Sequence, residues 1–213
     1  YPLGLIDYQF TTFHDLLQYL IVEKWGRPAY LASLYTYVKS LSHPALIVEI
    51  GTYYGASAIV MGHAIRGTGS HIITIDPALM PGGAVVETND GEPNTEHAIN
   101  IHDIYQYIAE QKLEGYITPI PAYASDVLRR WDGRPIDMIF VDGAHTYQAV
   151  SQDCQWMEYV KPGGIAAFDD WITGVAAAVH HYVDDHPEFE LIYESSKQSH
   201  DHCRITQLRK KDA

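Results

Sequence analysis

The chain has 213 residues, 46% of them hydrophobic, which is enough for one globular core and excludes a disordered chain. Fourteen Lys and Arg stand against 27 Asp and Glu, a net charge of −13, and this disfavours nucleic acid, whose binding relies on basic side chains that displace counterions. No apolar run approaches the ~20 residues of a bilayer helix, and Cys154 and Cys203 form no CxxC pair, so a membrane span, a disulfide framework and a structural zinc site are all disfavoured.

In chain order, the apolar spacing over 12–21 predicts a first helix, and 29–41 a second, ended by His43-Pro44. From Ala45 strands and helices alternate. Leu46–Ile50 reads as a buried parallel strand, Ala56–Ile65 as a helix closed by Gly67 and Gly69, and His71–Asp76 as a second strand stopped by Pro77. Residues 79–96 are rich in Gly, Pro, Asn, Asp and Glu and form an inserted loop, too long for an ordinary connection. A helix over 96–113, a strand over 116–120 and a short helix over 125–131 follow. A strand over 136–142 and a helix over 147–160 come next. Pro162-Gly163-Gly164 turns into a strand over 165–168, and 174–184 is helical. Residues 189–194 and 203–208 have no helix between them, so they pair as an antiparallel hairpin. Arg209, Lys210 and Lys211 read as a solvated tail. The expected fold is a doubly wound α/β sheet, mostly parallel, with a reversed last strand. Residues 1–44 form an N-terminal helical cap, and 45–213 the catalytic domain.

Ligands of such sheets bind at the carboxyl ends of the strands. At the first of these, Glu49-Ile50-Gly51-Thr52-Tyr53-Tyr54-Gly55 departs from the dinucleotide pattern G-x-G-x-x-G, because Tyr53 stands where a glycine admits a pyrophosphate. Gly51 and Gly55 leave room for a ligand without phosphates, and Glu49 beneath them suits a cationic amino group. A plain strand-to-helix turn would use the same glycines. Asp76 ends the second strand, where an acid accepts hydrogen bonds from ribose hydroxyls. Ser125 suits either an adenine edge or a helix cap.

These residues, with Ser57 and the Lys161-Pro162-Gly163-Gly164 turn, resemble the class I S-adenosylmethionine-dependent methyltransferases over roughly residues 45–209. That resemblance implies a seven-stranded Rossmann-like sheet. The G-x-S-A continuation is similar to the metal-dependent catechol O-methyltransferase-like branch. The stretch Phe140 to Tyr147 looks most like a bacterial subset (class 24-type) related to macrolide-sugar O-methyltransferases. The resemblance implies S-adenosylmethionine as cofactor, held by Glu49, Gly51, Thr52, Tyr53, Gly55, Ser57, Asp76, Pro77, Ser125 and Asp142.

Asp142, Asp169 and Asp170 end neighbouring strands. Three converging carboxylates repel one another unless they are protonated or bind a metal, and oxygen donors suit Mg²⁺. The resemblance points to the same three as metal ligands. His145 follows Asp142 by three residues, where the catechol-type enzymes have Lys. A His can remove a proton near neutral pH, and a nearby cation eases that step. Asp142 and His145 are therefore the catalytic candidates.

His180-His181 and His200/His202 are weak metal candidates, and Cys154 reads as core. Tyr8, Tyr19, Trp25, Tyr30, Tyr35 and Tyr37 serve either as packing or as an aromatic substrate lid, and the same segment leaves a homodimer open. The expected activity is methylation of a small-molecule hydroxyl, phenolic or sugar-like, in the cytoplasm. An NAD-dependent oxidoreductase, a cephalosporin hydroxylase-like metal enzyme and a non-catalytic nucleoside-binding module are the competing readings.

Overall fold

The computed structural model describes residues 28–77, 86–87, 93–94, 100–193 and 205–212. The expected helix at 12–21, most of the 79–96 loop, the 195–202 connection and Cys203 lie outside these residues.

Helix α1 (Pro28–Lys39) leads to strand β1 (Leu46–Ile50), helix α2 (Ala56–Ile65) and β2 (His71–Ile75). Two-residue strands β3 (Val86–Glu87) and β4 (Pro93–Asn94) pair antiparallel within the inserted loop. Then come α3 (Ile101–Glu110), β5 (Ile117–Ile120), α4 (Ala124–Leu128), β6 (Ile136–Val141) and α5 (Tyr147–Asp153). A 3₁₀ turn (Cys154–Tyr159) runs into β7 (Val160–Phe168), and α6 (Thr173–Asp185), β8 (Phe189–Tyr193) and β9 (Thr206–Lys210) close the chain.

The main sheet has seven strands in the order β5-β2-β1-β6-β7-β9-β8. All neighbours from β5 to β7 are parallel, and β9 runs antiparallel to both β7 and β8. Successive residues of β1 feed opposite faces: Ile47 joins the core under α1, α2 and α3, and Val48 the core under α5 and α6. Burial on both faces is why this strand reads as an apolar run interrupted only by Glu49. The order reverses at β1, whose neighbours β2 and β6 are reached in opposite directions. That switch point opens a crevice at the carboxyl ends of β1 and β6.

Several boundaries differ from the sequence reading, each for a local reason. Strand β7 starts at Val160 rather than Ile165. Two residue steps along β6, Ile136 to Met138, match five along β7, Val160 to Ile165, so the Pro162-Gly163-Gly164 segment is absorbed as a bulge inside the strand. The helix expected to reach 160 tightens into the 3₁₀ turn at Cys154. Arg209 and Lys210 are not tail residues: they pair with Ile165 and Phe189 in the sheet, and Lys210 Nζ donates to the Glu158 carbonyl at 3.1 Å. Among the described residues, no helix is long and apolar enough to cross a membrane.

Candidate functional site

Four backbone hydrogen bonds carry the parallel ladder past the strand ends. Asp76 N donates to Ile120 O, Gly51 N to Ile75 O, Asp142 N to Ile50 O and Asp169 N to Val141 O, at 2.8–3.1 Å. Each residue that follows its strand is thereby tied to the neighbouring strand. Asp76, Gly51, Asp142 and Asp169 stand side by side along the crevice.

The turn after β1 is built from both sides. Gly51 has φ +93°, and a Cβ there would lie 2.1 Å from the Asp142 carbonyl oxygen. Its missing side chain makes room for the β6–α5 loop, a steric role beyond the ligand space read from the sequence. Tyr53 adopts φ +45°, a left-handed conformation that is costly for a bulky residue. Asp76 holds it there: its Oδ2 accepts from both Thr52 N and Tyr53 N at 2.9 Å. Beneath the turn Glu49 is fully buried. Thr74 Oγ1 donates to Glu49 Oε2 at 2.5 Å, and Thr52 Oγ1 lies 2.6 Å from Thr74 Oγ1. Burial pushes the Glu49 carboxyl up to about 8; hydrogen bonds from Ser57 and Thr74 oppose the rise, and the charges of Asp142 and Asp76 add to it. Ser57 is also buried, on the first turn of α2. Ser125 is the second residue of α4, whose cap is Tyr123, so the capping reading of Ser125 does not hold.

On the other side of the crevice, the ligand atoms of Asp142, His145 and Asp169 lie within 4.8 Å of one another. Asp170, the third carboxylate expected here, falls outside this group. It adopts φ +45° as the chain leaves β7. His145 Nε2 stands 3.5 Å from Asp142 Oδ1, the outer limit of a hydrogen bond. Burial works against charge on the His145 ring, but the hydrogen bond and charge of Asp142, with Asp170 and Asp169, outweigh it and raise the ring above its usual value. The loop is fixed from behind by Gly174 on α6, where a Cβ would lie 2.9 Å from the His145 carbonyl. Thr146 caps α5 by accepting from Ala149 N at 3.2 Å.

The donor set fits a divalent cation. Two carboxylates and an imidazole converge, and the buried Nε2 of His145 has no closer polar partner among the described residues.

One site residue was read in the sequence only as one of six aromatics for packing or a substrate lid, with no link to the carboxylates. Tyr30, on α1, donates its hydroxyl to Asp142 Oδ2 at 2.7 Å. Its only signal was its position on the stripe Tyr30, Leu31, Leu34, Val38, the buried face of α1. A phenol on such a face needs a polar partner. His180 and His181 lie elsewhere, and His200 and His202 fall outside the described residues. His181 is bonded to Tyr147 at 2.6 Å and His180 lies against Trp171. Cys154 is buried, as expected.

The strand order, the reversed β9 and the crevice at the switch point are those of the class I methyltransferase fold. A family model described as "Methyltransferase domain" matches residues 48–171, more than half of the chain, and the chain belongs to that family. The uncharacterized protein R132 of Acanthamoeba polyphaga mimivirus is 29% identical over 146 residues, covering 65% of this chain. The chain spans 59% of that relative's length. The O-methyltransferase NovP matches with a TM-score of 0.69 at 16% identity, over 86% of this chain and 80% of that one. The S-adenosylhomocysteine-bound methyltransferase PaMTH1 of Podospora anserina matches at 0.64 and 16%, over 93% and 87%. At these identities the two structures share the fold.

Proposed function

We propose that the protein is an S-adenosylmethionine-dependent O-methyltransferase acting on a small-molecule hydroxyl with the help of a divalent cation. The observation that carries this reading is the convergence of Asp142, His145 and Asp169 beside the glycine turn of β1. When bound, S-adenosylmethionine would supply an electrophilic methyl group, and Mg²⁺ would supply a Lewis acid that favours the ionised acceptor hydroxyl.

The chain's own residues would bind, orient and take a proton. Asp142 and Asp169 would hold the cation, with Asp170 as a third candidate. His145, left off the cation, would take the acceptor's proton on its ring. Glu49, Gly51, Thr52, Tyr53, Gly55, Ser57, Asp76, Pro77 and Ser125 would surround the cofactor. Residues 1–44 and the 79–96 loop would form the substrate lid, and the cytoplasm would be the working compartment. The dinucleotide reading is weaker: the space at Gly51 is taken by the Asp142 peptide, and Tyr53 replaces the next glycine.

Calorimetric titration should show binding of S-adenosylhomocysteine; binding of NAD in its place would overturn the cofactor assignment. With a hydroxylated acceptor, chelation should abolish turnover. His145→Ala should lower kcat about 10²–10⁴-fold while cofactor affinity changes little. Full activity after either treatment would remove the metal-and-base mechanism.

A further inference from the structure

We propose that Tyr30 is a positioning residue for the cation-and-base cluster, supplied by α1 from outside the family-matched region. The inference rests on the functional reading above.

Tyr30 is 7% exposed, and the ring lies 5.9 Å from Phe140, the residue two before Asp142. Leu31, Leu34 and Val38 anchor the same helix in the core, and α1 lies against α2. The phenol is therefore held in place on two sides. Its hydroxyl takes Asp142 Oδ2 at 2.7 Å, while Asp142 Oδ1 is the oxygen 3.5 Å from His145 Nε2. A carboxylate at a strand end turns about its own side-chain bonds. A bond from one oxygen to a fixed donor stops that rotation and aims the other oxygen at His145. Groups that orient a metal-binding carboxylate are typically worth 10–100-fold in metal affinity. The family match begins at residue 48, so the site draws on a residue that the matched region lacks.

Tyr30→Phe tests this, because it keeps the ring and removes only the hydroxyl. Two affinities are measured on the full chain: manganese(II) alone, by electron paramagnetic resonance, and S-adenosylhomocysteine, by calorimetry. The expected result is a loss of about 10–100-fold for manganese(II) with cofactor-product affinity kept within about twofold. Loss of both affinities together marks a structural residue and overturns the proposal, as does loss of neither. Tighter manganese(II) binding also overturns it, since the phenol would then compete with the ion. If the unmodified protein binds S-adenosylhomocysteine but no manganese(II), the metal reading itself fails and takes this inference with it.

Discussion

Glu49 is enclosed on every side beneath the β1 turn, and its proton is governed by that enclosure. A carboxylate sealed from water loses its hydration, and Thr74 and Ser57 return only part of it. The unfolded chain releases this proton near pH 4.5, whereas the folded protein keeps it to about 8. Between those values the folded state binds the extra proton, so stability falls as pH rises through the window. Glu49→Gln keeps an oxygen to accept from Thr74 and cannot ionise. It should stabilise the protein by a few kcal/mol, roughly, at pH 8.5 and by much less at pH 5, read from urea unfolding at both. An equal effect at the two pH values would mean that Glu49 is ionised in the folded protein throughout. The candidate site residues fall into two groups by how visible they were. Asp76, Asp142, His145 and Asp169 were legible because strand ends are marked by apolar runs stopping at an acid. Tyr30 was not, because nothing in its neighbourhood says which distant carboxylate its hydroxyl meets.

At the level of elements, the site depends on two loops touching, the β1–α2 turn and the β6–α5 loop. Gly51 is where they meet. A methyl group there would sit 2.1 Å from the Asp142 carbonyl oxygen, while Gly67, at φ +77°, has nothing within 4 Å of its own virtual Cβ. The two glycines share a positive φ and differ in surroundings. Gly67→Ala should therefore cost about 1 kcal/mol, the backbone term alone. Gly51→Ala should cost about 4 kcal/mol or more, because the clash is with backbone that cannot rotate away. Chemical denaturation of both variants checks this, and similar losses would show that the loop contact is not what Gly51 provides. This contact also marks a limit of the sequence. The E-x-G-x-x-x-G spacing located the turn, but the partner of Gly51 lies 91 residues away, a relation no local pattern records. Strand β7 shows the same limit. Pro162-Gly163-Gly164 reads as a turn by composition, and only its pairing with β6 shows that the strand starts before it and bulges through it.

Across the whole molecule, the mostly parallel α/β sheet was expected from alternating strand and helix patterns, and the closing hairpin from the absence of room for a helix. Both follow from chain connectivity, which is why they could be read. The −13 charge is distributed with consequence. Glu49, Asp76, Asp142, Asp169 and Asp170 all stand at the carboxyl ends of β1, β2, β6 and β7, along one edge of the sheet. A divalent ion offsets two units at most. A phosphate backbone approaching these carboxylates meets repulsion. On the proposed reading, a compact hydroxylated acceptor would carry no such penalty. Filter binding of a structured RNA should therefore show no saturable complex even at low salt, about 50 mM, where phosphate contacts are strongest. If RNA instead binds with micromolar affinity and weakens steeply as salt is raised, the acceptor is a nucleic acid, and the small-molecule assignment falls while the methyl-transfer site stands.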